Sequence, residues 1–256
     1  MNTPTSLRLG RGLSFGLSLI LCLSFFTACK SQQMNGKKIL SDQFEKIEFF
    51  KGNYLVQKGN LKGLYNTSGK QILPCSFDRI ELYTGNYLVQ QGNKKGLYYT
   101  DGKEILPCNF DRIELYTGNY LVQQGNKKGL YYTDGKEILP CNFDRIELYT
   151  GNYLVQKGNK KGLYYTDGKE ILPCNFDRIE LYTGNYLVQK GNKKGLYNAN
   201  GKEIMPCNFD RIELYTGNYL VQKGNKKGLY YTDGKEILPC KYKNITMYRG
   251  EWLGEM

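Results

Sequence analysis

Short runs of apolar residues, each bounded by glycine-containing turns, recur along most of the chain with a period of 33 residues. The phrase Gly-Asn-Tyr-Leu-Val-Gln opens each of six tandem copies, at Gly52, Gly85, Gly118, Gly151, Gly184 and Gly217. Units 85–117 and 118–150 are identical. A fixed period of this length is typical of solenoids, propellers and related arrays. Because every surface feature recurs in each copy, the pattern favours an extended or multivalent binding surface over a unique catalytic site.

Four short strands are predicted in each unit, represented here by residues 118–150. Residues with strand propensity occupy 120–123, 128–132, 136–139 and 145–149. Strands this short, separated by glycine turns, form a unit too small to bury its own apolar face. Neighbouring units must therefore cover one another. No helical periodicity is found beyond the first 35 residues.

The connections between these strands have recognisable turn chemistry. The Gly-Asn pair at 125–126 is a turn dipeptide in which positive φ is accessible, and the Asp-Gly pair at 134–135 favours a type I′ hairpin. Pro140 cannot donate to a strand ladder, so we expect it to end the third strand. The Thr-Gly pair at 150–151 then turns the chain into the next copy.

Alternation of apolar and polar residues separates an expected core from an expected surface. For the first strand, the pattern does not decide which of the alternating residues face inward. The inward set is expected to contain Leu121 or Val122, with Leu130, Ile138, Phe143, Ile146 and Leu148. The residues expected to face water are Lys127, Lys128, Lys136, Glu137, Arg145 and Glu147.

The stretch Gly-Asn-Lys-Lys-Gly-Leu-Tyr-Tyr-Thr-Asp-Gly-Lys-Glu-Ile-Leu-Pro-Cys-Asn-Phe-Asp-Arg-Ile at 125–146 resembles the WG (or KWG) repeat of bacterial exported proteins. The likeness covers residues 36–249 and includes unit length, turn placement and the Pro-Cys-x-Phe-Asp segment. It implies an all-β repeat and no particular activity, since the family has no single established one. The name-giving Trp is replaced by lysine in every copy, at Lys62, Lys95, Lys128, Lys161, Lys194 and Lys227.

These features predict an all-β domain at 36–256, with six full units at 52–249 and atypical ends. The expected architecture is an open, solenoid-like array of tandem 33-residue β-hairpin repeats. A closed β-propeller is the alternative, because the half-unit at 36–50 and the Gly-Glu-Trp-Leu phrase at 250–253 could complete a seventh blade. The open array is favoured, since 33 residues is short for a propeller blade.

The N-terminus has the pattern of an export signal. Arg8 and Arg11 provide a positive region, and the uncharged stretch 12–26 is rich in Leu, Phe and Ser. The phrase Phe-Thr-Ala-Cys ending at Cys29 resembles the lipobox of bacterial lipoproteins, with Phe where Leu is usual. The resemblance implies a signal peptide at 1–28 and an acylated Cys29. Ordinary secretion and an uncleaved anchor are the alternatives, although the apolar stretch is shorter than the ~20 residues of a membrane span.

Residues 29–35 would then be the lipidated cysteine and a short polar tether. Several acyl chains anchor a protein stably, because each buried methylene contributes ~0.8 kcal/mol. We therefore expect a lipid-anchored protein of the bacterial cell envelope, either periplasmic or surface-exposed. Its membrane contact would be made through the lipid anchor.

Composition argues against an enzyme. The chain has no histidine, which removes the usual general base near neutral pH and the commonest metal ligand. It also has no Gly-rich phosphate loop and no nucleophile elbow. We expect no catalytic residues, no metal site and no cofactor.

Six cysteines recur in register, one per unit. A ladder of disulfides or a metal-binding stripe is one interpretation in an oxidising compartment. Free thiols that are buried as small apolar groups are the other, and it is favoured because units of three or four strands should be too widely spaced for bridging. The six are Cys75, Cys108, Cys141, Cys174, Cys207 and Cys240.

Lysines beside paired tyrosines form the candidate binding surface of each unit. The chain has a net charge of +12, so an anionic glycan, lipid head groups or an acidic protein surface could be attracted. Nucleic acid is not expected, because an exported protein seldom meets it. The lysines could instead only protect strand edges from aggregation. The candidate residues are Lys94, Lys95, Tyr98, Tyr99, Lys127, Lys128, Tyr131, Tyr132, Lys160, Lys161, Tyr164 and Tyr165.

Two functions remain open at this point. The array could be a non-enzymatic multivalent module that binds a protein or a glycan at the cell envelope. Alternatively, it could be a structural spacer or stalk that has no ligand, in which the number of copies sets the reach.

Overall fold

The computed structural model describes residues 37–256, which form 26 β-strands arranged in antiparallel sheets. The predicted signal peptide, Cys29 and the predicted tether lie outside the described residues. The chain divides after Phe110 into two compact units. The all-β tandem-repeat class is confirmed, with one sheet for each 33-residue step.

The first unit contains two four-stranded sheets. Their strands are β1 (Lys46–Phe50), β2 (Asn53–Lys58), β3 (Leu61–Tyr65), β4 (Gln71–Phe77), β5 (Arg79–Tyr83), β6 (Asn86–Gln91), β7 (Lys94–Tyr98) and β8 (Glu104–Phe110). Within each sheet the strands pair in chain order, β1 to β4 and β5 to β8.

The second unit contains four four-stranded sheets and one two-stranded sheet, again paired in chain order. Its strands are β9 (Arg112–Tyr116), β10 (Asn119–Gln124), β11 (Lys127–Tyr131), β12 (Glu137–Phe143), β13 (Arg145–Tyr149), β14 (Asn152–Lys157), β15 (Lys160–Tyr164), β16 (Glu170–Phe176), β17 (Arg178–Tyr182), β18 (Asn185–Lys190), β19 (Lys193–Tyr197), β20 (Glu203–Phe209), β21 (Arg211–Tyr215), β22 (Asn218–Lys223), β23 (Lys226–Tyr230), β24 (Glu236–Tyr242), β25 (Asn244–Tyr248) and β26 (Glu251–Glu255).

The boundary of a sheet does not coincide with the boundary of a sequence unit. Strand β13 ends the unit 118–150, yet it pairs with β14 of the following unit. Ile146 lies opposite Val155, and Leu148 lies opposite Tyr153. Each sheet is therefore assembled from two consecutive copies, with its first strand supplied by the copy before.

The type I′ turn occurs at the Thr-Gly pair, not at the Asp-Gly pair. Thr150 and Gly151 both have positive φ, at 49° and 79°, and they join two paired strands directly. At the Asp-Gly pair only Gly135 has positive φ. There Tyr132 N donates to Lys136 O at 2.8 Å, which closes a longer loop than a two-residue hairpin. The predicted I′ turn at 134–135 was therefore wrong.

Pro140 does not end its strand, in contrast to the prediction. Strand β12 runs on to Phe143 through a bulge, because Leu130 pairs with Leu139 whereas Lys128 pairs with Phe143. A bulge is one of the few places where a sheet tolerates proline. Opposite it lies Gly129, where a Cβ would meet the backbone N of Cys141 at 2.9 Å. The glycine is needed because the bulged strand crosses so close to it.

The core confirms most of the inward set and settles which residues of the first strand face inward. Val122 is buried and Leu121 only partly so, and Tyr120 and Leu139 are buried as well. Leu130, Ile138, Phe143 and Ile146 are buried, as predicted.

Leu148 was wrongly placed inside, since it is 49% exposed. It lies near the end of β13, the edge strand of its sheet, where no further strand covers it. Of the residues expected outside, Lys136, Glu137 and Arg145 are exposed, whereas Lys127, Lys128 and Glu147 are half-buried.

Neighbouring sheets are joined by hydrogen bonds to the hydroxyls of buried and half-buried tyrosines. The side-chain amide of Asn152 donates to the hydroxyl of Tyr186 in the next sheet at 3.1 Å. In the opposite direction, the backbone N of Leu181 in that next sheet donates to the hydroxyl of Tyr149 at 2.9 Å. These bonds satisfy phenolic groups that would otherwise be buried without a partner.

Backbones of neighbouring sheets also approach closely at the Asp-Gly loop. Gly168 has a φ of 86°, and a Cβ there would lie 3.0 Å from the carbonyl carbon of Ile138 in the preceding sheet, with the carbonyl oxygen closer still. The same approach recurs where Gly201 meets Ile171. Glycine is therefore required twice over, for its backbone angle and for the absence of a side chain.

The ends of the array are atypical, as predicted. Residues 37–40 form a helical turn, which the sequence did not indicate, and Leu40 from this turn packs with Tyr54 and Val56. At the other end β25 and β26 form a sheet of two strands, where Trp252 lies 5.7 Å from Tyr215 between ring centroids. In the described part of the chain, no helix has the length and apolar character to cross a membrane.

Replacement of Gly168 by alanine should destabilise the fold more than replacement of Gly151. Both glycines have positive φ, so both variants carry the same kind of backbone strain, but a Cβ at Gly151 meets nothing within 4 Å. We expect Gly168→Ala to lose about 1–3 kcal/mol more in free energy of unfolding, because it forces two sheets apart. Urea denaturation followed by circular dichroism measures the difference. Equal losses in the two variants would contradict the close approach.

Candidate functional site

The twelve residues of the predicted binding surface are all half-buried, and they do not share one face. In β15, for example, Lys160 and Tyr164 lie on one face of the sheet and Lys161 on the other, because alternate residues of a strand point in opposite directions. Tyr165 lies in the loop that follows. The structure therefore divides the candidates into groups with different surroundings.

Tyr164 takes part in packing between sheets. Its ring lies edge-on to Phe143 of the preceding sheet, with 5.5 Å between centroids. Its hydroxyl donates to Glu170 at 2.8 Å. Burial, and then the bond to this carboxylate, raise the pKa of Tyr164 well above its usual value. Tyr131 and Tyr98 make the same bond in their own sheets, to Glu137 and Glu104.

The second tyrosine of each pair lies in the loop after the strand and has different contacts. The hydroxyl of Tyr165 donates to Asn200 at 3.3 Å, and the ring of Tyr132 packs beside the core around Leu139.

Lys160 links its sheet to the next one. Its ammonium group donates to Asp177 at 2.5 Å, and the second carboxylate oxygen of Asp177 accepts the backbone N–H of Gly191 at 2.7 Å. The bond from Lys160 and the bond from Gly191 hold the pKa of Asp177 below its usual value. Lys127 and Asp144 form the same pair one step earlier.

Lys161 has a different environment, in a small concavity that we call the repeat cleft. Cross-strand register places Arg145, Gln156 and Lys161 in one row across three strands. Glu147 and Leu154 lie beside this row and complete the lining of a shallow cleft. The lysine thus stands beside an arginine from the preceding sequence copy.

The repeat cleft recurs in sheet after sheet. It is lined by Arg112, Glu114, Leu121, Val122, Gln123 and Lys128 in β9–β11 and by Arg79, Glu81, Leu88, Val89, Gln90 and Lys95 in β5–β7. In β1–β3 the lining is Lys46, Glu48, Leu55, Val56, Gln57 and Lys62, with lysine in place of arginine. One chemical arrangement is therefore presented on many sheets.

The charges of the cleft are only loosely held. Arg145 pairs with Glu147 on the same strand, but the two side chains are 64% and 42% exposed. An exposed ion pair of this kind contributes about 0–1 kcal/mol, so little is lost when it rearranges. Within residues 37–256 the ammonium group of Lys161 makes no ion pair and no side-chain hydrogen bond. Arg145 and Lys161 together offer two cations to an anionic group in the cleft.

The lysine of the cleft is among the binding residues predicted from the sequence, but its partners are not. Arg145 and Glu147 were assigned only to the surface, and Gln156 was not singled out. The cleft depends on the pairing register of two strands. Arg-Ile-Glu at 145–147 lies opposite Leu-Val-Gln at 154–156 only because β13 pairs with β14 of the following copy.

The six repeat cysteines are free thiols, and they are half-buried where full burial was expected. Cys174 packs beside the core cluster that contains Tyr153 and Val155. Burial raises the pKa of its thiol. Among residues 37–256, no group of three or more His, Cys, Asp or Glu side chains is placed to hold a metal ion.

The pattern of the sheets agrees with a known family of repeats. The family model described as the WG containing repeat matches residues 63–94, 96–127, 129–160, 162–193, 195–226 and 228–253. The chain belongs to the WG repeat family. Each match begins at the glycine that follows the cleft lysine, as at Gly162 after Lys161 in this WG repeat protein.

Comparison with solved structures finds similar chains of low identity. The AfRom2 CNH domain is 12% identical over 81% of this chain and 87% of that one, with a TM-score of 0.25. Kluyveromyces lactis Hsv2 is 13% identical over 75% and 77%, also with a TM-score of 0.25. PorZ of Porphyromonas gingivalis is 6% identical over 82% and 35%, with a TM-score of 0.24. Scores this low say nothing about function. No curated protein matches the chain.

The thiols should be countable and slow to react. The fragment 30–256 retains only the six repeat cysteines, and we expect Ellman's reagent in denaturant to find all six free. In the native protein at pH 8 the reaction should be slow, because burial raises the pKa of each thiol and leaves little thiolate. Zero free thiols in denaturant would restore the disulfide interpretation, and rapid native labelling of all six would contradict the packing.

Proposed function

We propose that this protein is an exported, lipid-anchored component of the bacterial cell envelope, whose WG array is a non-enzymatic module for multivalent binding. The partner would be a glycan or a protein of the envelope, reached from a membrane that holds the acylated Cys29. Nucleic acid is not part of the proposal.

The recurrence of the repeat cleft carries the binding part of the proposal. Clefts with the same arrangement of charged residues recur on several sheets, and the cations Arg145 and Lys161 lie outside the buried core. Several weak sites on one scaffold can raise apparent affinity by ~10²–10⁴ without any new type of contact. Tyr164 and Lys160, in contrast, support the scaffold that sets the clefts side by side.

The export part rests on the sequence before residue 37. The charged start, the apolar stretch and the Phe-Thr-Ala-Cys phrase together support cleavage before Cys29 and acylation of that cysteine. A spacer function is the second candidate. The ion pairs and tyrosine bonds that join successive sheets would also suit a stalk, whose purpose is to extend from the membrane.

Deletion of whole units separates the binder from the spacer. The experiment uses the soluble fragment 30–256 and in-frame versions of it that lack 33, 66 or 99 residues. Each protein is passed over immobilised cell-wall and glycan preparations. We expect retention to fall steeply with each deletion, by about 10²-fold in all, because avidity depends on the number of clefts engaged. If no preparation retains even the intact fragment, the binding function is wrong and the spacer is favoured.

Replacement of Cys29 by serine tests the anchor. In the parent protein we expect incorporation of a fatty-acid analogue and accumulation of an unprocessed precursor in the presence of globomycin, an inhibitor of lipoprotein signal peptidase. Both effects should disappear in Cys29→Ser, because the sulfur that carries the lipid is absent. Cys22→Ser, in the same apolar stretch, is the matched control and should behave as the parent. Labelling that persists in Cys29→Ser would refute the anchor.

A further inference from the structure

The lining of the repeat cleft indicates what kind of ligand it suits. On the row across β13–β15, Arg145 and Lys161 provide two cations, with the amide of Gln156 between them. Adjacent strands lie about 4.8 Å apart, so the two cations are two strand spacings apart at their backbones. Their long side chains can converge on one anionic group held between them.

The cleft also contains an acceptor. Glu147 lies on the same face as Arg145, and its carboxylate would repel a ligand composed only of anionic groups. A carboxylate next to cations is useful when the ligand also carries hydroxyl groups, which donate hydrogen bonds to it. The ligand that matches all of these groups has an acid and hydroxyls on the same unit.

Building on the binding function proposed above, we propose that each repeat cleft binds one acidic sugar residue of a linear polysaccharide. The sugar carboxylate lies between Arg145 and Lys161, and a ring hydroxyl donates to Glu147. Leu154 provides a small apolar floor for the ring. The same roles fall to Arg112, Lys128 and Glu114 in the sheet before.

The repeat of the clefts fits a polymer better than a single sugar. Sheets that pack face to face lie about 10 Å apart, which is comparable to the length of a disaccharide. A polysaccharide with an acid in each disaccharide can therefore engage clefts of consecutive sheets. A folded protein partner rarely presents carboxylates at a constant spacing.

The cleft is poorly suited to single-stranded nucleic acid. Proteins that bind such strands stack the bases on aromatic side chains. The cleft around Gln156 has no aromatic residue among its lining. Tyr164 points to the opposite face and bonds Glu170.

The test compares two sets of six lysine substitutions in the full-length chain. The cleft variant carries Lys→Gln at Lys62, Lys95, Lys128, Lys161, Lys194 and Lys227. The control variant carries Lys→Gln at the exposed lysine that follows each turn glycine, namely Lys70, Lys103, Lys136, Lys169, Lys202 and Lys235. Both lose six positive charges, so a difference between them reports the site and not the net charge.

Binding to polygalacturonate is measured by surface plasmon resonance, with its neutral methyl ester as the reference polymer. We expect the parent and the control variant to bind the acid form and not the ester. The cleft variant should lose at least about tenfold in apparent affinity, because a small loss at each cleft is multiplied by avidity. Circular dichroism verifies the fold. If the cleft variant does not fold, Arg→Gln at Arg79, Arg112, Arg145, Arg178 and Arg211 replaces it.

Other outcomes would overturn the inference. An equal loss in both lysine variants would show general electrostatic attraction, and equal binding of acid and ester would show that the carboxylate is not recognised. Stronger binding to polyuridylate or to vesicles of phosphatidylglycerol would assign the clefts to another class of ligand. If cell-wall material retains parent and cleft variant alike, the acidic sugar is wrong while the binding function stands.

Discussion

Each sheet of this protein has apolar residues on both faces, and this constraint makes every sheet dependent on its neighbours. In the sheet β13–β16, Tyr153 and Val155 are covered by the preceding sheet, and Leu154 on the other face lies against the following one. A four-stranded sheet of short strands cannot shelter both faces alone. The Asn152–Tyr186 bond, the approach of Gly168 to Ile138 and the Lys160–Asp177 pair all depend on this mutual cover.

The scaffold and the candidate site use different parts of the same strand. Within β15, Lys160 and Tyr164 hold neighbouring sheets together, while Lys161 between them points into the cleft. Strand alternation separates the two tasks at the level of single residues. The side chain at position 161 can therefore change the chemistry of its cleft while Lys160 and Tyr164 keep their contacts with the neighbouring sheets.

The sequence was a good guide to the class of fold and a weaker guide to geometry. The 33-residue period, the turn glycines and the alternation of apolar residues were sufficient to predict the strands and most of the core, because these signals are local in sequence. The errors came from contacts that are distant in sequence. Leu148 alternates correctly with Ile146 but lies at an uncovered edge, and Pro140 is accommodated by a bulge that depends on Gly129 in another strand. The cleft was missed because its row joins two sequence copies.

The offset between sequence unit and sheet bears on how such a chain changes length. Strand β13 comes from one copy and β14 from the next. The chain can therefore lose or gain 33 residues, starting at any position within the unit, and the strands on either side of the change still form a complete sheet. Loss or gain of one repeated coding segment would therefore shorten or lengthen the protein by one whole sheet at a time. Every product would keep an intact hydrophobic interior, which makes array length an easily varied trait.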